Sequence, residues 1–325
     1  MSLLSALPTT PANLMRNVTD NASVFRRKFL EGFGFRDQMQ TLYGRDIVPL
    51  PRIRTNQFIR PGRTGTWAPN PNTITLSARQ AVLRPIKGDV DFTELEIESA
   101  WNTYFGQLQM LSGAKAQRDY IMQVPFEGML VDEILKKAGH DYRLNSAFKG
   151  TYNAAGTTPA SVDDGLIVKM AAQFGVDIPG TNIIGTAVPN ATNMIAITQA
   201  FVDLIAAQAP EYLDSPLKMY MSPQNKRFYE RNVLATNNVA FASFYNQYKQ
   251  PVLFEQPNIE IIAEVGMAGS NRIFVTVPDN LKFCTDSDSI NVRVFEQVRS
   301  WQIALDWKST LDFCEGQLVW TNTLA

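Results

Sequence analysis

The sequence predicts an α+β fold, because helical and strand patterns occupy separate parts of the chain. Helical periodicity dominates the middle, whereas the stretch after Pro257 consists of short strand-like runs separated by turn residues. Runs of strands after runs of helices are typical of α+β rather than alternating α/β proteins. With 45% hydrophobic and 19% charged residues, the 325-residue chain can bury a real core in about two domains or one elaborated domain.

The first part of the chain predicts an arm followed by a long hairpin. Residues 12–34 contain one short amphipathic helix candidate. Across Ile47–Lys87, prolines and glycines separate strand-like runs, and Ile74, Leu76 and Ala78 alternate with polar residues as in a half-exposed strand. An isolated two-stranded ribbon is marginal in water, so we expect this hairpin to need a partner surface.

Helix signals follow the hairpin. Thr93 is a good N-cap for a helix that runs to about Ser112, and glutamates in its first turns favour the positive helix end. A second helix begins at Pro125 and continues to about Phe148, with Gly150 as its stop. A helix of about 24 residues is about 36 Å long at 1.5 Å per residue, so it forms a spine across a domain.

Further elements are predicted beyond this spine. Two helices are expected near residues 160–174 and 192–208. The strand LKMYMS is followed at once by a helix that Ser222 caps and Pro223 begins. The C-terminal strand-like runs are IEIIAEV, RIFVTV, LKFC, INVRVFEQV, WQIALDW and QLVW.

Charge is distributed unevenly along the chain. Residues 1–90 hold thirteen Lys/Arg against five acids, a net charge of +8, and the remaining residues carry −9. Such asymmetry indicates nucleic-acid binding or self-association in which the basic part of one copy meets the acidic part of another. We favour self-association, because these basic residues occur singly and are too dilute for a nucleic-acid tail.

The sequence lacks the residue sets that catalysis and metal binding require. His140 is the only histidine, and we expect it to face solvent. With one histidine and two cysteines far apart in sequence, a tetrahedral zinc site cannot be assembled, and no Walker A, HExxH or GxSxG motif is present. We therefore expect no catalytic residue, no metal and no cofactor, although an acid/base role for paired carboxylates stays open.

Four weaker patterns have simpler interpretations. Gly32-Phe-Gly34 follows a helical pattern and lacks the third glycine of a nucleotide loop. The TDSDS segment with Asp286 and Asp288 lacks the glycine and glutamate of a calcium loop, so we expect a turn. The aromatic residues at 241–248 have the spacing of a packed helix face rather than of a base-stacking surface. The longest uncharged stretch, 178–202, is interrupted by prolines and glycines and does not predict a membrane span.

Cellular location is indicated by the N-terminus and the cysteines. The N-terminus has no basic region before its short apolar stretch, and prolines interrupt that stretch, so we expect no signal peptide. Cys284 and Cys314 fit a reducing compartment in which each is a small buried hydrophobe.

Four segments carry a resemblance to a known family. They are DGLIVKMAA, KMYMSPQNKRFYERNV, NRIFVTVPDNLKFCTDSDSINVRVFEQ and WQIALDWKSTLDFCEGQLVW. Together with the order of arm, basic hairpin, spine helix, helical middle and β-rich end, they resemble the major capsid proteins of tailed phages, which have the Hong Kong 97-type fold, particularly those of phages that infect Bacteroidetes-type hosts. The resemblance extends from about residue 50 to the end.

The resemblance implies a division of the chain into five parts. These are an N-terminal arm at 1–50, an extended hairpin loop at 51–90, a peripheral domain with the spine helix at 91–155, a mainly axial domain at 156–270, and strands that return to the peripheral domain at 271–325. Because the hairpin tip has only arginine and Lys87 lies at the base, the lysine cross-link of some family members is not expected here. Any scaffold is expected to be a separate protein.

The resemblance also implies a function. The chain is expected to assemble into hexamers and pentamers of an icosahedral shell around viral double-stranded DNA, in the host cytoplasm. The expected partners are portal, head-completion or decoration proteins and packaged DNA, which it contacts non-specifically. No contact with a membrane is expected. A cellular encapsulating shell of the same fold and a nucleic-acid-binding protein that uses the basic N-terminal region are the alternatives. The expected inter-subunit residues, all in the hairpin, are Arg52, Arg54, Arg60, Arg63, Trp67, Arg79, Arg84 and Lys87.

Overall fold

A computed structural model describes residues 33–34, 39–55, 74–110, 126–237, 251–297 and 300–324. The helix candidate in the arm, the hairpin tip with Arg60, Arg63 and Trp67, and the aromatic run at 241–248 lie outside the described residues, apart from Phe33 and Gly34. Within the described ranges, no helix is long and apolar enough to cross a membrane.

The expected hairpin is confirmed. Strands β2 (Ile47–Thr55) and β3 (Ile74–Val82) pair antiparallel, from Ile47 opposite Val82 to Thr55 opposite Ile74. The hairpin ends earlier than the expected residue 90, because strand β4 (Arg84–Thr93) pairs with the long strand β11 (Ser300–Phe313) instead. Residues 84–90 therefore belong to the body of the protein.

The first sheet carries the main core. Its order is β1-β9-β11-β10, with β4 also paired to β11, and only the β1–β9 pair is parallel. Alternate residues of β11, among them Trp301, Ile303 and Trp307, are buried in the largest hydrophobic cluster. The strands are β1 (Gln40–Tyr43), β9 (Leu281–Thr285), β10 (Asn291–Gln297) and β11 (Ser300–Phe313).

The two predicted helices after the hairpin are both present. Helix α1 (Glu94–Met110) begins with a capping box: the Glu96 carboxylate accepts from the Thr93 backbone N–H at 2.8 Å, and the Glu96 N–H donates to Thr93 Oγ1 at 3.4 Å. The spine consists of α2 (Phe126–Asp141) followed by a π-helical turn (Tyr142–Ser146). The expected position of the spine is therefore confirmed, although its last turn widens.

Gly150 closes this segment, as expected. Its N–H donates to the Ser146 carbonyl at 3.0 Å. A Cβ at position 150 would lie 2.6 Å from the Asp163 carbonyl oxygen, so only glycine permits this close approach.

A second sheet, with order β5-β12-β8-β6-β7, underlies a separate core. As predicted, Ser222 caps the helix after β6, and its Oγ accepts from the Asn225 N–H at 3.2 Å. Of the strands after residue 271, β9–β11 join the first sheet, whereas β8 and β12 pair with each other in the second, where β8 also pairs with β6. The strands are β5 (Ile183–Ile184), β6 (Leu217–Met221), β7 (Ile259–Ala263), β8 (Phe274–Thr276) and β12 (Val319–Asn322); the helices are α3 (Leu166–Ala172), α4 (Met194–Gln208) and α5 (Pro223–Asn237).

Several smaller predictions are also resolved. His140 is exposed in the last turn of α2, as expected. The TDSDS segment is a turn between β9 and β10, in which Asp286 Oδ1 accepts from the Asp288 N–H at 3.0 Å. Cys284 and Cys314 are free thiols, the first buried and the second half-buried. The described residues contain no group of three or more His, Cys, Asp or Glu side chains that could hold a metal ion.

Candidate inter-subunit surface

The two faces of the β2–β3 hairpin differ in what they contact. Residues directly opposite each other in an antiparallel pair lie on the same face, and successive residues alternate between faces. The register therefore defines an outward face, every described side chain of which is exposed. Its apolar members are Ile47, Pro49, Pro51, Ile53, Ile74, Leu76, Ala78 and Val82.

The outward face is unusually apolar for exposed surface. Leu76 is 73% exposed, and its cross-strand neighbour Ile53 is 68% exposed. The expected half-exposed strand is thus wrong, because Ile74, Leu76 and Ala78 are exposed and lie on the face opposite the one that packs on the body. A contiguous exposed apolar patch usually marks an interaction site.

The inward face attaches the hairpin base to the body. Val48, Leu50 and Ala81 are buried there and pack with Leu83 and Cys284 in a small hydrophobic cluster. Burial raises the pKa of the Cys284 thiol to about 12, as expected for a cysteine that serves as a small hydrophobe. The hairpin is therefore anchored on one face and open on the other.

Beyond this cluster, two arginines of the inward face pair with carboxylates of the body. Arg52 donates from both terminal nitrogens to Asp177, at 2.7 and 2.6 Å, and its Nε donates to the Cys314 carbonyl oxygen. Arg79 Nε donates to Asp312 Oδ1 at 3.2 Å, and a terminal nitrogen of Arg79 lies 3.5 Å from Asp177. We call Arg52, Arg79, Asp177 and Asp312 the base clasp.

The Arg79 guanidinium also lies 4.1 Å from the ring centroid of Phe313, a cation–π contact. The four side chains of the base clasp retain only 5–15% exposure. The clasp is therefore largely removed from water. Salt screens such buried ion pairs less than it screens exposed ones.

Two other expected site residues lie in β4. The Arg84 guanidinium is 4.2 Å from the ring centroid of Tyr152. Lys87 Nζ is 2.9 Å from an Asp89 oxygen in a pair whose side chains are 76% and 61% exposed. The hydrogen bond to Asp89 raises the pKa of Lys87 above its ordinary value.

Of the eight residues that the sequence analysis assigns to the inter-subunit surface, the structure brings only Arg52 and Arg79 together. Both are paired within the chain, and an additional role between subunits stays a prediction. For Arg54 only the backbone is described, in β2. The tip residues Arg60, Arg63 and Trp67 lie outside the described residues.

Sequence reasoning missed the outward apolar face and both carboxylates of the base clasp. A signal for the face exists, since β2 is apolar at both alternating sets of positions over 47–51. No local signal marks Asp177 or Asp312, which are 125 and 233 residues from their arginine partners.

The body that carries the hairpin is held together by buried polar contacts. At the end of the spine, Arg143 donates twice to the fully buried Glu264, at 2.8 Å each, which ties the spine to the second half of the chain. Nearby, the Asp163 carboxylate accepts from Thr310 at 2.7 Å and from Lys169 at 3.3 Å. Burial is the largest influence on the pKa of Asp163 and raises it.

Helix α1, which begins at the end of β4, is acidic. Helix α1 contains three glutamates and no lysine or arginine. Its exposed apolar residues are Leu95, Phe105 and Met110, which leaves a surface of negative charge and apolar side chains.

This arrangement, an open hairpin on a body of two sheets and a spine helix, has the Hong Kong 97-type capsid fold. A chain of the satellite phage P4 procapsid, in a structure that includes the size determination (Sid) protein, matches with a TM-score of 0.57 and 10% identity over 93% of this chain and 98% of that one. At this identity the likeness shows the fold alone.

Two further solved structures match less closely. The encapsulin complex from Synechococcus elongatus matches with a TM-score of 0.49 and 11% identity, over 90% of this chain and 86% of that one. The capsid of cyanophage A-1(L) also has a TM-score of 0.49, with 14% identity over 91% of each chain. No protein-family model and no curated protein sequence matches this chain.

Proposed function

We propose that this chain is the major capsid protein of a tailed phage, and that it assembles into the hexamers and pentamers of an icosahedral shell around double-stranded DNA. The observation that carries the proposal is the exposed apolar face of the hairpin on a body with a capsid fold. The surface that matters is thus an interface between copies rather than a catalytic pocket.

The hairpin favours contact with a second copy for an energetic reason. A two-stranded ribbon gains little stability by itself, and its outward face still has apolar area to remove from water. A heterologous contact, in which the hairpin of each copy lies on a different surface of the next, forms a ring when the rotation between successive copies closes. The acidic, partly apolar surface of α1 has the chemistry to receive such a hairpin and its basic tip.

The charge distribution supports assembly over nucleic-acid binding as the role of the described arginines. Arg52 and Arg79 face carboxylates of their own chain, so they are not available to neutralise phosphates. Contacts to packaged DNA are proposed to be non-specific. The described residues supply no observation that favours an enzyme, and we assign the chain no cofactor.

The proposed setting is the virion capsid, assembled in the host cytoplasm. Portal, head-completion or decoration proteins are the proposed additional partners. A cellular encapsulating shell is the alternative with the same fold, and it differs in what the particle contains.

Electron microscopy of the purified chain, alone and co-expressed with the neighbouring phage genes, tests the proposal. We expect rings of five and six subunits or closed shells, and particles that protect DNA from nuclease when the packaging partners are present. Closed shells that enclose a protein cargo and never DNA would favour the encapsulating alternative. Light scattering that shows only a 36.4 kDa species under all these conditions would contradict both.

A further inference from the structure

The base clasp occupies a junction between the two halves of the protein. Asp312 and Phe313 end β11 of the first sheet, and the chain then crosses through 314–318 to β12 of the second sheet. Asp177 lies on the other side, in the turn between α3 and β5. The two arginines of the hairpin therefore contact two of the segments that lead from the first sheet to the second.

Both acceptor segments are themselves fixed in place. The Asp177 turn contains Gly175 at φ +73°, whose N–H donates to the Ile178 carbonyl at 2.8 Å. The crossing segment is held by Asn280, which accepts from the Glu315 N–H at 2.8 Å and, through its backbone carbonyl, from the Cys314 N–H at 2.9 Å. The carboxylates and the carbonyl thus present a preformed site to the guanidinium groups.

Gly316 allows these two segments to approach each other. A Cβ at Gly316 would lie 2.6 Å from the backbone carbonyl atoms of Asp177, closer than any side chain can pack. The clasp therefore depends on a contact between the two halves of the chain that only glycine permits.

We infer that the base clasp positions the hairpin, holding the outward apolar face at the angle at which it can dock on a neighbouring copy. The hydrophobic cluster at the base fixes one end of the hairpin, and the clasp fixes its direction by a second attachment further along both strands. Arg52 and Arg79 are positioning residues, and the docking contact itself is apolar.

The chemistry of the clasp suits this role. Two guanidinium and two carboxylate groups form a cluster with no net formal charge, and the bidentate Arg52–Asp177 pair restricts orientation as well as distance. Lysine has no such planar fork, so it cannot replace arginine in the geometry. The inference rests on the proposed function, because it concerns the angle of the surface through which copies associate.

Distance measurement by electron paramagnetic resonance tests the inference. Spin labels are placed at Ala78→Cys on the outward face of β3 and at Asp203→Cys on α4. Labelled chains are diluted with unlabelled chains so that only distances within one chain are seen. Labelling of the parent chain, which has only Cys284 and Cys314, gives the background. The parent is expected to show one narrow distance distribution.

The test variant is Asp177→Asn with Asp312→Asn, which removes both charges with little change in shape. We expect a broad distance distribution, a body that still folds by circular dichroism, and a fall of about tenfold or more in the association constant of each contact, equivalent to about 1.4 kcal/mol. Arg52→Lys, which keeps the charge, should broaden the distribution less. Lys137→Gln, which breaks the surface pair with Asp141 on α2, is the control and should change neither measurement.

A narrow, unshifted distribution in the Asp177→Asn, Asp312→Asn variant would overturn the inference, as would a broad distribution together with normal assembly. If that variant does not fold, the comparison of Arg52→Lys with Lys137→Gln decides in the same way. If the parent chain itself never assembles, the proposed function fails, whereas the distance measurement still shows whether the clasp orients the hairpin.

Discussion

Replacing Ile53 and Leu76 with serine should separate assembly from folding. These two side chains are cross-strand neighbours on the outward face, 68% and 73% exposed in the single chain. Because neither contributes to a buried cluster, each change should alter the free energy of unfolding of the body by about 0.5 kcal/mol or less.

The effect on assembly follows from the area that remains to be buried. Full burial of a leucine or isoleucine side chain stabilises by about 1.5–3 kcal/mol, and roughly two thirds of that area is still exposed here. Docking should therefore lose about 2–4 kcal/mol per contact, or roughly 30- to 1,000-fold in the association constant. In a closed ring the same loss occurs at every contact.

The assay is the protein concentration at which rings or shells form, followed by light scattering and microscopy. Val188→Ser, at a residue that is 58% exposed outside the hairpin, controls for the general effect of removing surface apolar groups. An assembly threshold for the double variant equal to that of the parent would refute the assignment of the outward face to the subunit contact.

Four further predictions concern other parts of the chain. Changing Arg60 and Arg63 to Glu should leave circular dichroism unchanged but weaken assembly through like-charge contacts at the neighbour; normal assembly with lost DNA binding would instead assign the tip to phosphate neutralisation. His140→Ala should change the free energy of unfolding by about 0.5 kcal/mol or less in urea titration, and a larger loss would place this exposed side chain in a contact. Thr93→Ala should destabilise by about 1 kcal/mol through loss of the capping box, and an unchanged urea midpoint would show that the cap contributes nothing. Because burial raises the pKa of Cys284 to about 12, its thiol should not react with Ellman's reagent at pH 8 in the folded protein, and rapid labelling of the native protein would contradict its burial. The stability linked to this thiol should be retained below about pH 8.5 and lost as the pH rises towards 12.

The elements that the sequence predicts correctly are those with signals close together in the chain. The Thr93 cap lies three residues from Glu96, and the Ser222–Pro223 step joins a strand directly to a helix. The C-terminal strands likewise show their alternation within a few residues. In each case the residues that stabilise the element are close together in the sequence. The local sequence pattern therefore includes the interaction that stabilises the helix or strand.

The candidate inter-subunit surface was predicted only in part. Its paired residues are far apart in the sequence, and the sequence does not show which side of β2 packs on the body. Arg52 and Asp177 are 125 positions apart in the sequence, and no local pattern around either residue predicts their contact. The charge asymmetry of the chain favours contact between copies, yet the described arginines of the hairpin satisfy carboxylates of their own chain. Strand β2 has apolar residues on both of its sides. Only the tertiary structure determines which side packs on the body, because that depends on where the hairpin base lies.

Pro49 and Pro51 of β2 affect how the exposed hairpin can pair with other strands. A two-stranded hairpin has two free edges, and each is a template for adding further strands without limit. Pro49 and Pro51 have no N–H group, and a proline in a paired strand directs its nitrogen to the unpaired side. The free edge of β2 therefore lacks two successive donors, which opposes extension of the ladder by a third strand there and leaves the side-chain face as the surface of the proposed association.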